Sequence, residues 1–294
     1  MKKWLLVIRS PFLALAVVLA FLGNCIAWHN GAFHWGYALL TGLGLLLAHI
    51  SVNVFNEYFD YKSGIDLETV KTPFSGGSGA LPSGIVSSRE AFWLGLATFL
   101  IIVPIGIYFT VVQGWLLLPL LLVAAVCIVF YSPVILKWGW PEWAPGIGLG
   151  FLPVIGVYFA QAGEYTWPVA IAAVPSGILV HNLLLLNEFP DVEADKKAGR
   201  KTTPITIGGA AASKFYVATT VLVYLWIIGA VIAGQMPVFS LLALLTLPIA
   251  VKAIGGALKY DDPARLVPAM ASNVLVVLIT QFLLGVGYIL ARVF

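Results

Sequence analysis

Long apolar runs separated by brief polar breaks fill almost the whole chain. A helix rises ~1.5 Å per residue, so about 20 apolar residues cross the hydrocarbon layer of a bilayer. On that length the pattern predicts nine spans, over residues 8–28, 36–58, 90–111, 114–135, 143–162, 167–187, 210–233, 237–256 and 266–290. Most breaks are a residue pair, as at Gln113-Gly114, Gly163-Glu164 and Gly234-Gln235. Two are long and polar, about 59–89 and 188–209. The expected fold class is all-α, a single polytopic membrane domain over 1–294.

Composition narrows the function classes. Apolar residues make up 61% of the 294 and charged residues 10%, with a mean hydropathy of +0.98. Soluble domains carry about 25% charged residues, so a soluble globule, a disordered chain and a nucleic-acid binder are excluded, and no nucleic-acid partner is expected. The net charge of +3 comes from too few charges to signal nucleic acid. Cys25 and Cys127 lie in separate apolar runs and have no metal-ligand spacing, so they are expected to be packing residues. Lys2 and Lys3 ahead of an apolar run resemble a secretory leader. Arg9 interrupts that run and no small-x-small site precedes Trp28, which points to a retained first helix.

With nine spans, 15 of the 16 Lys and Arg residues fall on the side of the N-terminus, and Arg292 alone on the other. Basic residues stay cytoplasmic, so the N-terminus and the two long loops are expected inside and the C-terminus outside. Trp28, Trp35, Trp115 and Trp167 fall near outer span ends, and Trp4, Trp138, Trp140 and Trp143 near inner ends, as interfacial tryptophans do. Twelve of the 13 Asp and Glu residues are also inside, with Glu164 the exception. Acidic residues contribute little to topology, so the cytoplasmic face requires carboxylates for another reason.

The two long loops resemble each other. Asn56-Glu57-Tyr58-Phe59-Asp60 and Asn187-Glu188-Phe189-Pro190-Asp191 share Asn-Glu-aromatic-x-Asp at an offset of 131. Lys71-Thr72-Pro73 is echoed by Lys201-Thr202-Thr203-Pro204 at nearly the same offset. An even number of spans separates the copies, which predicts two parallel four-helix repeats, about 1–138 and 139–262, plus a ninth helix. At 100° per residue His49, Asn53, Asn56 and Asp60 form one stripe, and Asn187, Asp191 and Asp195 another. Asp66 follows a turn at Gly64. Carboxylates facing one cavity repel, by about 4 kcal/mol per pair at ~4 Å and an effective dielectric of ~20. All-oxygen ligands favour a hard cation such as Mg²⁺, which completes its shell with water and phosphate. Lys71, Lys196, Lys197, Arg200 and Lys201 stand nearby and suit a phosphate-bearing ligand. Together they suggest an amphiphile with a diphosphate head and a lipid tail. His49, about 16 Å from Asp60 by helical rise, is expected to be a hydrogen-bonded interior histidine, and His181 and its neighbour Asn182 are likewise expected to be hydrogen-bonded interior residues. His29 and His34 lie in the outer loop without an assigned role.

These motifs resemble the UbiA superfamily of intramembrane aromatic prenyltransferases. Its menaquinone branch, which prenylates 1,4-dihydroxy-2-naphthoate, carries Asn-Asp-Tyr-x-Asp-x-x-x-Gly-x-Asp. The chain reads Asn56-Glu57-Tyr58-Phe59-Asp60-Tyr61-Lys62-Ser63-Gly64-Ile65-Asp66, with Glu57 in place of the second residue. Asp191-x-x-x-Asp195 and Gly199-Arg200-Lys201-Thr202 match the second signature, and Ile8-Arg9-Ser10-Pro11 resembles the helix-1 Arg-Pro element. Tyr131 and Lys137 stand where the family has a Tyr-x-x-x-Lys element, at longer spacing. The resemblance implies Mg²⁺ on Asn56, Asp60, Asp66, Asp191 and Asp195, with Asp60, Asp191, Tyr131 and Lys137 in catalytic roles. Arg9, Asn53, Lys71, Lys196, Arg200 and Lys201 would bind substrate. Glu57 is a candidate metal ligand or base, and Ser75–Gly79 an anion nest, a lid or a plain linker. The partners implied are a polyprenyl diphosphate, an aromatic acceptor and the bilayer of the cell (inner) membrane, with the site open to the cytoplasm. Within the superfamily 4-hydroxybenzoate, homogentisate, haem or a glyceryl phosphate lipid is an alternative acceptor. A transporter would place its acids near the midplane, and a CDP-alcohol phosphotransferase would need an Asp-Gly-x-x-Ala-Arg opening that the sequence lacks.

Overall fold

A computed structural model describes residues 2–69 and 71–294, with Leu67 described by its backbone alone. Among the described residues every regular element is helical. In chain order they are α1 (Lys2–Val7), α2 (Ser10–His29), α3 (Trp35–Ser63), α4 (Ser88–Gln113), α5 (Leu117–Phe130) and α6 (Trp143–Ala162), then α7 (Trp167–Asn187), α8 (Val192–Lys197), α9 (Thr203–Ile207), α10 (Gly209–Ile232), α11 (Val238–Ala257) and α12 (Pro263–Val293). Eight of them, α2, α3, α4, α6, α7, α10, α11 and α12, are long and apolar enough to cross a membrane, and the chain is an integral membrane protein.

Of the ninth expected span, residues 114–135, the helical part is α5, an apolar helix of 14 residues, about 21 Å long by helical rise and shorter than the other eight. Pro133 accounts for its end. A proline lacks the N–H that would continue the ladder, and it steers Ser132 out of the helical region. The chain turns over residues 131–134 and makes one 3-10 turn, Ile135–Lys137.

Helices α2, α6, α7, α10 and α12 build the central core, with Leu22 and Ile26, Val154 and Tyr158, Leu179 and Val180, Ile227, and Val276 and Val277 packed together. Lipid is as apolar as these side chains, so close packing and interhelical hydrogen bonds hold such bundles. Gln161 donates to Asn24 at 2.7 Å, Asn182 to Thr220 at 3.0 Å and Tyr216 to Asn273 at 3.0 Å, tying α6 to α2, α7 to α10 and α10 to α12. Asn182 thus plays the interior role expected of it. One close helix contact lies between α6 and α7. A Cβ on Gly150 would sit 2.5 Å from the Ser176 carbonyl oxygen, so only glycine fits there. Helices α3, α4 and α5 form a flank with apolar side chains such as Leu100, Ile107, Val111 and Leu122 exposed, as a lipid-facing surface requires.

Candidate active site

Helix α3 has 29 residues, about 44 Å of rise, so its last turns carry Asn53, Asn56 and Asp60 to the boundary of the apolar layer. Gly64, at φ 81, ends it in the left-handed conformation that glycine adopts freely. A 3-10 turn then returns Asp66 toward the same helix end. His49, Asn53, Asn56 and Asp60 all line one cavity of about 300 Å³, as the stripe predicts.

Asn187, Asp191 and Asp195 line the cavity from the other side, although not on one helix. Pro190 breaks the helical path for the reason given for Pro133. The chain turns over residues 188–191, and the Asp195 N–H donates to the Asp191 carbonyl at 2.8 Å as α8 begins. Arg200 joins the two motifs. Its Nη1 donates to Asp195 Oδ1 at 3.0 Å and its Nη2 to Asp60 Oδ1.

Residues 71–79 cover the cavity. Thr72 Oγ1 accepts the N–H groups of Phe74 and Ser75 at 3.1 and 2.9 Å, forming a side-chain-capped turn. Gly77, at φ 72, lies so close to Asp66 that a Cβ would be 2.9 Å from its Oδ1. Glu57, fully buried, anchors this segment. Its Oε1 accepts from the Ser78 N–H at 2.7 Å and from Arg9 Nε at 2.6 Å, and its Oε2 accepts from Ser78 Oγ at 2.6 Å. Both oxygens are engaged, so Glu57 is neither a free base nor an open metal ligand, and the glycine segment is tethered rather than a plain linker. Arg9 itself has φ 51, a left-handed backbone that costs about 1–3 kcal/mol in a residue with a side chain and clusters at functional sites.

The electrostatics favour a cation. Asp66 Oδ2, Asn187 Oδ1, Asp191 Oδ1 and both Glu188 oxygens are buried without a hydrogen-bond partner. Burial, then the charges of Asp60 and Glu57, push Asp66 up to about 7. Burial and Asp195 push Asp191 up to about 7. Asp195 rises to about 6 through burial, against the pull of Arg200. Burial and the neighbouring Glu142 hold Glu188 well above the usual carboxylate range. Among the described residues no three His, Cys, Asp or Glu side chains converge on one point. Unpartnered, all-oxygen donors that do not close a cage fit an ion such as Mg²⁺, which keeps waters and takes phosphate oxygens.

The cavity collects Arg9, Asn53, Asn56, Asp60, Asp66, Tyr131, Asp191, Asp195 and Arg200 from the sequence-predicted set. Asn53 also donates to the Ile8 carbonyl at 3.0 Å, so it tethers the N-terminal segment. Burial keeps the Tyr131 phenol well above its ordinary pKa, and it stays protonated at neutral pH. Lys71, Lys137, Lys196 and Lys201 are exposed and do not line the cavity. The 3-10 turn buries Ile135 and Leu136 and leaves Lys137 on the solvent side. Lys196 pairs with Glu193 at 3.2 Å. Lys201 contributes its backbone, donating to the Leu136 carbonyl at 3.0 Å and accepting from the Trp140 N–H at 3.2 Å. The sequence reading missed Glu188, Asn187 as an unpartnered group, and the buried Glu142, whose Oε1 accepts the Thr203 N–H at 2.6 Å. The doubled Asn-Glu pattern held the signal for the first two; nothing in the sequence marked Glu142. His49 lies where the first cavity adjoins a second, apolar one of about 380 Å³ lined from α2 to α6.

Comparison with known proteins follows the same lines. The family model described as the UbiA prenyltransferase family matches residues 16–289. The chain is 29% identical over 291 residues to 1,4-dihydroxy-2-naphthoate octaprenyltransferase of Bacillus subtilis (strain 168), covering 96% of this chain and 91% of that one. Its fold matches the apo structure of a UbiA homologue from Aeropyrum pernix K1, with a TM-score of 0.73 at 19% identity, over 95% of this chain and 98% of that one. A UbiA homologue from Archaeoglobus fulgidus, solved bound to GPP and Mg²⁺, matches with a TM-score of 0.58 at 17% identity, over 98% and 99% of the two chains.

Proposed function

The chain belongs to the UbiA prenyltransferase family, and from that premise we propose that it transfers a polyprenyl group from a polyprenyl diphosphate to a ring carbon of 1,4-dihydroxy-2-naphthoate. The observation that carries this reading is one cavity in which unpartnered carboxylate and amide oxygens face two arginines above an apolar floor. The Bacillus subtilis relative's name supports the acceptor, and the ligands of the Archaeoglobus fulgidus homologue support the donor and the ion. In this reading the two motifs belong to two parallel repeats, about 1–138 and 139–262, and the cavity opens to the cytoplasm across the inner membrane.

Asn56, Asp60, Asp66, Asp191 and Asp195 would hold Mg²⁺, which supplies positive charge for the leaving diphosphate when bound. Arg9 and Arg200 bind the diphosphate oxygens and stabilise the charge that grows on them as the allylic C–O bond breaks. Leu15, Val52, Ile128, Leu149 and Val180 line the apolar side of the cavity, holding the isoprenoid tail and keeping water from the allylic carbon. Tyr131, protonated, donates a hydrogen bond toward the diphosphate or the acceptor. The ring carbon of the acceptor then forms the new C–C bond and its proton leaves.

Purified protein incubated with Mg²⁺, labelled geranylgeranyl diphosphate and a panel of aromatic acceptors tests the reading. Labelled product with the dihydroxynaphthoate, abolished by chelator and by Asp191→Ala, is expected. Product with another acceptor alone would correct the substrate. Turnover at full rate in chelator would remove the metal from the reading.

A further inference from the structure

Asp60 comes from the first motif and Asp195 from the second, and one guanidinium holds both. The Arg200 side chain is only 14% exposed, so this bridge is shielded from water. Arg9 is engaged with Glu57, and the lysines near the motifs are exposed. Asp66 and Asp191 each keep a buried oxygen without a partner. Arg200 is therefore the cation that pairs with carboxylates of both motifs before any ion arrives.

A guanidinium and a metal ion compete for the same carboxylate lone pairs. We propose that Arg200 is an exchangeable counter-ion. It holds Asp60 and Asp195 in the empty site, yields them to the divalent metal that enters with the diphosphate, and turns its planar fork onto the diphosphate oxygens. This rests on the metal–diphosphate reading above. Its backbone N–H stays on the Asp195 carbonyl at 2.9 Å, so the exchange is a side-chain rotation about a fixed anchor. Arginine suits the task because its donors match carboxylate and phosphate oxygens with the same bidentate geometry. Metal alone must displace Arg200 and leave it unpaired, whereas metal with diphosphate gives it a new partner. The two ligands are then positively coupled through one side chain, and the coupling is reciprocal.

The test titrates Mn²⁺ into the purified full-length protein by electron paramagnetic resonance, with and without geranyl S-thiolodiphosphate, a donor analogue that resists cleavage. Arg200→Gln should bind Mn²⁺ alone at least about tenfold more tightly than the parent, about 1.4 kcal/mol, because no competitor remains. The same variant should lose at least about tenfold of the tightening that the analogue gives the parent. Arg200→Lys cannot bridge both carboxylates as a fork and should fall between the two. A structural cross-link would give the opposite sign, with metal affinity unchanged or lower in both variants at a preserved unfolding temperature, and that result overturns the proposal. If Arg200→Gln does not fold, Arg200→Lys decides by the same criterion. A parent that binds no Mn²⁺ even with the analogue removes the metal–diphosphate reading and this exchange with it.

Discussion

The buried Asp66 and Asp195 and the half-buried Asp191 are acids held well above their ordinary value of 3.8, and that has a measurable sign. Between the unfolded value and the folded values near 6 and 7, the folded chain keeps protons that the unfolded chain has released. Stability therefore falls as pH rises through that window. Metal-free protein in detergent is expected to unfold at a higher temperature at about pH 5 than at about pH 7.5. Mg²⁺ with inorganic diphosphate should raise the unfolding temperature at the higher pH and do little at the lower, where protons occupy the ligand oxygens. Thermal unfolding at both pH values, with and without the ion, measures this. A profile that rises with pH would mean that these carboxylates gain, rather than lose, by ionising in the fold.

At the scale of elements, eight of the nine expected spans are helices of crossing length, because apolar length is a local property. Where an element departs from the pattern, the reason is also local. Pro133 ends α5 inside a segment that hydrophobicity alone extends, and Pro190 interrupts the helical path that the stripe of Asn187, Asp191 and Asp195 assumes. The stripe on α3 projected its four members into one cavity because that helix is continuous. The second stripe reached the same cavity through a turn, which periodicity could not describe. Near the site, charge in the sequence proved a poor guide to position. Every cation was a fair candidate for phosphate, yet only Arg9 and Arg200 of those proposed lie on the cavity. Tertiary placement separates them from the exposed lysines, and it is equally what makes Glu57, a candidate ligand or base by sequence, an anchor.

For the whole molecule, the expected orientation follows from the distribution of basic residues and carries its own test. Asp60 and Asp195 face one cavity, so both motifs must open on the same side of the membrane. Cysteines placed at the exposed positions Lys71 and Lys201 in intact cells should both resist an impermeant reagent added outside and react once the inner side is exposed. Labelling of either from outside would reverse the proposed direction of the site. Finally, the three hydrogen bonds on Glu57 bind the strained turn at Arg9 and the segment at Ser78 to one carboxylate, so neither can detach alone without stranding a buried charge. The front of the protein should therefore breathe as a single cooperative unit. In hydrogen exchange, Glu57→Gln should speed the amides around residues 8–12 and 75–79 by similar factors and leave α10 and α12 unchanged. Faster exchange in one segment alone would mean two independent flaps. With the pair coupled, opening of the segment over the cavity becomes a question of how often one carboxylate lets go.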